Sequence, residues 1–242
     1  MADGPDTRPG LSARAKRDTM AAFGPKPVRR DAVSSFRQFI ARQLAAPTGL
    51  FGRLITTHWL ERANREMNRV TLACLGLSAN DHLLEIGFGS GYLLAQVLRR
   101  RQCTYVAGVD LSQDMVDAVQ RRLRKHVERG EADIRLGDIE QLPFPDGHFT
   151  RLCSVNTLYF WRDTAAALRE CRRVLQPGGK IALCFNTKQS MQAWPGHQYG
   201  FTLYELAEVQ NMLADAGFSA VTVVEGLAGR TGAFYCVTGM VG

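Results

Sequence analysis

Residues able to do chemistry are concentrated where Glu85 ends the apolar run Leu83-Leu84-Glu85-Ile86 and glycines alternate at Gly87, Gly89 and Gly91. The run reads as a buried strand. Ser90 to Arg101, with Leu93, Leu94, Val97 and Leu98 on one side, reads as the helix after it. Glycine suits such a junction because the turn is tight, a ligand must approach the backbone closely, and the helix N-terminus offers free N–H donors. A second acid, Asp110, ends the run Tyr105 to Val109 about twenty residues further on, where a carboxylate can accept both hydroxyls of a ribose. A third, Asp138, follows the run Ala132 to Leu136. It is placed either to accept a hydrogen bond from an exocyclic amine or simply to close a turn. The pattern points to nucleoside binding at the carboxyl end of a parallel sheet.

The dinucleotide fingerprint G-x-G-x-x-G would need glycine at position 92, which is Tyr92. An acid followed by G-x-G-x-G instead resembles the cofactor turn of the class I S-adenosylmethionine (SAM) methyltransferases. Two further stretches carry the resemblance. Leu142-Pro143-Phe144-Pro145-Asp146-Gly147-His148-Phe149-Thr150 is similar to the family segment LPF-x-D-x-x-F-D, with Thr150 replacing the last acid, and Arg173 to Gly179 is similar to its RVLxPGG turn. The resemblance spans residues 48 to 239 and is closest in kind to the ubiquinone/menaquinone-type and small-molecule enzymes. It implies an α/β fold: a Rossmann-like, seven-stranded, doubly wound sheet with an antiparallel last strand and an N-terminal helical cap. It also implies SAM as cofactor, held by Glu85, Gly87, Phe88, Gly89 and Gly91 at the turn, by Asp110, Leu111 and Met115 after the second strand, by Asp138 and Ile139 after the third, and by Asn156 after the fourth. Methyl transfer from a sulfonium is an in-line displacement that depends on positioning, so no metal site is expected.

The remaining elements follow from periodicity and punctuation. Ser112 caps a helix to Arg129 with Met115, Val116, Val119 and Leu123 on its apolar face and Gly130 as its stop. Phe149 to Val155 is the fourth strand, Asp163 caps a helix to Leu175, and Ile181 to Phe185 is the fifth strand. Asn186 to Phe201 lacks periodicity and reads as an irregular loop over the site. The capping box Thr202-x-x-Glu205 starts a last helix ending at Gly217, and Ala220 to Val224 and Ala233 to Thr238 complete the sheet as a hairpin. Upstream, residues 31–76 form the cap. Val33, Phe36, Phe39, Ile40 and Leu44 recur at helical spacing, Pro47 and Gly49 interrupt, and a second helix runs from Leu50 to Cys74. Residues 1–30, rich in Pro, Gly and charge, read as a disordered basic tail, leaving 77–242 as the SAM-binding domain.

Composition narrows the class. With 242 residues, 45% hydrophobic and 22% charged, the chain is long enough for one sizeable core. No apolar run approaches the roughly 20 residues of a membrane span, and the N-terminus lacks a signal-peptide core, so cytoplasm is the expected compartment. The six cysteines are scattered, form no C-x-x-C pair and mostly sit in apolar runs, as small buried hydrophobes do. The net charge of +7 could serve an anionic partner, but Arg99 to Arg101 and Arg121 to Arg129 cluster at predicted helix ends, where cations meet the helix dipole. Nucleic acid therefore ranks behind a small-molecule acceptor. Peripheral contact with membrane, through a lipid or quinone acceptor, stays open, as does a non-catalytic nucleotide-binding module. The oligomeric state is not readable. No Tyr-x-x-x-Lys occurs, which removes the usual short-chain dehydrogenase pair.

The acceptor is expected between the cap and the segments Asn156 to Trp161 and Asn186 to Phe201. Asn156 is a polar amide leaving an apolar strand and needs partners, and Tyr159 follows one helical turn later, so both are candidates for the transfer step. Asn156-x-x-Tyr159 is similar in spacing to the NPPY turn of amino methyltransferases, without its prolines. His58 and His197 are candidates for a general base by location only. Which atom is methylated, O, N, S or C, is not encoded in any motif.

Overall fold

A computed structural model describes residues 61–193, 201–229 and 232–242. The basic tail, most of the cap, His58 and His197 lie outside the described residues. Seven strands form one sheet in the order β3-β2-β1-β4-β5-β7-β6. β1 (His82–Ile86), β2 (Tyr105–Asp110), β3 (Ala132–Leu136), β4 (Phe149–Val155) and β5 (Leu175–Asn186) run parallel, while β7 (Gly232–Val241) pairs antiparallel with both β5 and β6 (Phe218–Ala228). The Rossmann-like sheet with an antiparallel β7 is thus as expected from the sequence.

Leu83 to Ile86 is continuously buried because helices cover both faces of a parallel sheet. Alternation along β1 sends Leu84 and Ile86 into one core, shared with α5 (Thr164–Val174) and α7 (Leu206–Asp215). Leu83 faces the other core, shared with α1 (Arg65–Leu75), α2 (Tyr92–Arg100) and α3 (Gln113–Arg122). By the same alternation, Glu85 lies on the α1 side. The first parallel crossover reverses at β1, with β2 on one side and β4 on the other, opening a crevice at the carboxyl ends of these strands.

Several boundaries differ from the sequence reading. The second cap helix is interrupted: one turn, Glu61–Ala63, precedes Asn64, which departs from helical geometry at ψ 3°, and α1 begins at Arg65. The helix read from Ser112 to Arg129 breaks at Leu123, which stays buried, giving α3 and the short α4 (Arg124–Glu128). The last helix starts later than the Thr202 box. Thr202 N–H is committed to the Tyr159 carbonyl, and Glu205 and Glu208 supply the reciprocal cap of α7 instead. β5 extends backwards through the Pro177-Gly178-Gly179 turn, β6 runs through Gly226, and the loop after β5 contains a short helix, α6 (Lys188–Gln192). Thr150, the departure from the family segment, ties two strands together: its Oγ1 donates to Asp81 at 2.6 Å and accepts from the His82 N–H at 3.0 Å.

Gly91 has a packing role. It caps α2 at φ +68°, and a Cβ there would stand 2.7 Å from Val119 Cγ1 of α3. Gly130 shares the left-handed backbone at φ +71° but has no neighbour within 4 Å of a Cβ. Gly130→Ala should therefore cost only the backbone strain, about 1–2 kcal/mol. Gly91→Ala should add an overpacking cost of roughly 1–3 kcal/mol. Urea unfolding of both variants checks this, and equal losses would remove the packing role.

Candidate functional site

The glycine turn is closed by Asp110. Its carboxylate, 8% exposed, accepts the Gly89 N–H at 3.0 Å through one oxygen and the Ser112 N–H at 2.9 Å through the other. Burial pushes the Asp110 carboxyl up, and the N–H groups of Ser112, Gly89 and Leu111 pull it back. Gly87, at φ +67°, donates to the Val109 carbonyl at 2.7 Å, and a Cβ on it would collide with the Thr157 methyl at 2.4 Å. Gly89, at φ +49°, faces open space. Phe88 packs against Gly108 of β2, where any Cβ would meet its ring at 2.6 Å. The turn is thus fixed by backbone hydrogen bonds to an acid and by absent side chains.

Glu85 stands beside this turn with 4% exposure. Its Oε2 is fully buried and has no hydrogen-bond partner among the described residues. Burial, reinforced by the Asp110 charge, raises its carboxyl from the ordinary 4.5 to about 8. An acid left this way is costly for the ligand-free protein and suits a cationic group arriving from outside.

A cavity of about 960 Å³ opens over these residues. Of the expected cofactor residues, Glu85, Gly87, Phe88, Gly89, Asp110, Leu111, Asp138, Ile139 and Asn156 line it. Leu111 keeps 56% exposure, unusual for leucine, while Ile139 is nearly covered. Gly91 and Met115 are not among the lining residues. Gly91 is spent on helix packing, and Met115, 2% exposed, belongs to the α1–α3 core. Asp138 does close a turn, accepting the Glu140 N–H at 3.1 Å, and it also takes Arg162 Nη2 at 2.6 Å while lining the cavity.

At the exit of β4, Asn156 adopts φ +58°, a left-handed conformation that asparagine tolerates better than most residues. Its Nδ2 donates to Asn64 Oδ1 at 2.8 Å and contacts Met67 Sδ at 3.2 Å, while its Oδ1 accepts from the Tyr159 hydroxyl at 3.1 Å. The same hydroxyl accepts the Asn186 N–H at 2.5 Å, joining the ends of β4 and β5. Tyr159 is 3% exposed, and burial pushes its phenol well above the usual range, so it holds its proton and positions its neighbours. Trp161 is also buried, whereas Phe160 is partly covered and stacks edge-on against Phe201 at 4.6 Å.

Sequence reasoning placed the segment before β1 over the site as a cap but missed the residues with which α1 and its preceding turn line the cavity. Asn64 and Asn68, four residues apart, both line the cavity. Asn68 is 6% exposed, and its side chain makes no hydrogen bond with the described residues. Glu61 lines the cavity too, and Arg122 ties it at 3.0 Å to the chain that carries the glycine turn by also donating to the Ser90 carbonyl at 2.9 Å. Carboxamides at i and i+4 beside Met67 and Val70 were the available signal: polar groups on an otherwise apolar face.

The raised Glu85 carboxyl has a defined effect on stability. Between pH 4.5 and 8 the unfolded chain loses this proton while the folded chain keeps it, so Glu85 lowers stability as pH rises through that window and leaves it level outside. Glu85→Gln should flatten that part of the profile and stabilise the ligand-free protein at pH 8, on the order of several kcal/mol. Urea unfolding at pH 5 and pH 8 checks it, and an unchanged slope would contradict the buried, unpaired state.

Comparison with known proteins places this geometry in a family. A family model described as a methyltransferase domain matches residues 84–183, from β1 through β5. The chain is 30% identical over 137 residues to methyltransferase YdaC of Bacillus subtilis, an alignment covering 57% of this chain and 74% of that protein. It is 29% identical over 124 residues to 27-O-demethylrifamycin SV methyltransferase of Amycolatopsis mediterranei, covering 51% of this chain and 45% of that one, so it spans about half of that relative. In fold it is similar to phosphoethanolamine N-methyltransferase 2 of Haemonchus contortus, solved with SAM, at a TM-score of 0.67 and 17% identity, covering 85% of this chain and 60% of that chain. The turn closed by Asp110, the order of the seven strands and these matches agree, and the chain belongs to the class I SAM-dependent methyltransferases.

Proposed function

We propose that this chain binds SAM in the cavity over β1, β2 and β4 and transfers its methyl group to a small-molecule acceptor. The observation that carries the reading is the buried, unpartnered Glu85 Oε2 beside a glycine turn closed by Asp110. The residues fit the cofactor on chemical grounds. Glu85 offers an acid to the ammonium of the methionyl end, and Asp110 retains lone pairs on both oxygens for ribose hydroxyls. Leu111 and Ile139 offer apolar walls to a base, and Asp138 an acceptor to its amine. Bound SAM supplies a methyl group on a sulfonium, open to in-line displacement. The chain's contribution is then to orient and to exclude water. Asn156, held from both sides by Asn64 and Tyr159, fixes the wall at the β4 exit, and the Phe160–Phe201 pair covers it with apolar surface.

A small acceptor is supported by size and charge. The cavity, about 960 Å³, is in the range of pockets that enclose a cofactor with a compact partner. The basic residues Arg99, Arg100, Arg121 and Arg122 close α2 and α3. Arg162, the cation among the described lining residues, is held by Asp138 and Glu140. This scatter favours the small-molecule reading over nucleic acid. No described helix is long and apolar enough to cross a membrane. The rifamycin relative, by its name, acts on a small molecule, which accords with the same reading.

Calorimetric titration with S-adenosylhomocysteine tests the proposal. The wild-type chain should bind, and Asp110→Asn should weaken binding by about 1.5–3 kcal/mol, the range for a hydrogen bond to a charged group. Asparagine is the appropriate replacement, because alanine would also release the Gly89 and Ser112 N–H groups and loosen the turn itself. Unchanged affinity in a folded Asp110→Asn variant would contradict it.

A further inference from the structure

The methyltransferase reading leaves the acceptor unnamed, and the charges around the cavity narrow it. The described acids that line it stand at the strand ends expected to meet cofactor, Glu85 and Asp110, after β3, Asp138 and Glu140, or in the ion pair Glu61–Arg122. The lining cation Arg162 is neutralised by two carboxylates, at 2.6 Å and 3.4 Å. Between α1 and the exits of β4 and β5 the polar lining is uncharged: Asn64, Asn68, Asn156, Gln189 and Ser190. An anionic acceptor would find no unpaired cation there among the described residues. It would lose its hydration without replacement, which is expensive for a full charge.

Asn68 is the second observation. It is 94% buried by its 6% exposure, lines the cavity, and its carboxamide has no partner among the described residues. Asn64, one turn earlier, already accepts from Asn156, so the two amides are not equivalent. A carboxamide offers two donors and an acceptor, a match for a hydroxyl or amide that both gives and receives. Its polar atoms open into the cavity, so once a ligand displaces the water there an unmatched carboxamide is costly, which favours ligands that complete it and selects against those that cannot.

We propose that the acceptor is a neutral, largely apolar molecule bearing a hydroxyl or amide, and that Asn68 is the residue that recognises that group. The inference rests on the methyltransferase reading, so the two are tested in sequence. Calorimetry with S-adenosylhomocysteine comes first, and failure there sinks the underlying reading. The saturated complex is then titrated, by ligand-observed NMR, with four probes on one aromatic frame: 2-naphthol, 2-naphthyl phosphate, 2-naphthoic acid and 2-naphthylmethylamine. The naphthol should bind about tenfold or more tighter than each charged analogue. Asn68→Leu should weaken naphthol binding roughly tenfold with cofactor-product affinity and melting temperature retained. Asn68→Asp, of equal size, should move the preference to the amine, and it decides alone if the leucine variant melts early. The proposal is overturned if a charged probe binds as well as the naphthol, if the complex binds no probe, or if the Asn68 variants keep the wild-type ranking.

Discussion

Two buried carboxylates at the ends of neighbouring strands set the terms for the rest of the structure. Asp110 is stabilised by backbone N–H groups, and through those of Gly89 and Ser112 it draws the glycine turn against β2 and starts α3. Glu85, next to it in the sheet, receives no such compensation at Oε2 and is held in its protonated form by burial and by the Asp110 charge. Parallel strands force these positions together: β1 pairs with β2 in register, with Ile86 opposite Val109. A sheet built only for stability would place apolar residues here. The acids make sense as half of an interaction whose other half is a ligand.

Much of the surrounding structure serves to keep that corner in shape. Gly87 gives way to Thr157 of the β4 exit, Gly91 to Val119 of α3, and Gly108 to Phe88 of the turn, so three close approaches converge on one loop. The segment before the sheet is joined to the same corner by polar links: Arg122 to Glu61 and to the Ser90 carbonyl, and Asn156 to Asn64. Meanwhile α1 packs on β4, β5 and β7 through Met67, Val70 and Leu75. A helix that precedes the sheet in sequence thereby becomes one wall of the cavity.

What could be read from the sequence was what depends on local spacing. β1, β2 and β4 have strong two-sided burial and sharp punctuation, and Glu85, Gly87, Gly89 and Asp110 sit at fixed offsets from β1 and β2. What could not be read depends on contacts between distant segments. Gly91 looked like a ligand-facing glycine until Val119 came near it, and Met115 sat in the expected position but turned into the core. Thr202 has the sequence of a helix cap, yet its N–H belongs to Tyr159, 43 positions earlier, and Glu205 takes over. Asn64 and Asn68 stand out in the sequence only as carboxamides on an apolar face, a pattern that acquires meaning when a cavity forms beside it. The bridge that the buried Tyr159 hydroxyl makes between Asn156 and Asn186 likewise depends on β4 and β5 lying side by side, which no local spacing encodes.

Glu85, with Oε2 buried and without a partner among the described residues, awaits a cation. Glu85 is protonated in the ligand-free chain near pH 7 because its carboxyl is raised to about 8, and a bound ammonium would favour the ionised form. Binding of S-adenosylhomocysteine should therefore expel a proton, seen as a dependence of the calorimetric heat on buffer ionisation enthalpy. At pH 7 the release should approach one proton per site in the wild-type chain and be lost in Glu85→Gln. Buffer-independent heats in the wild-type protein, with binding intact, would contradict it.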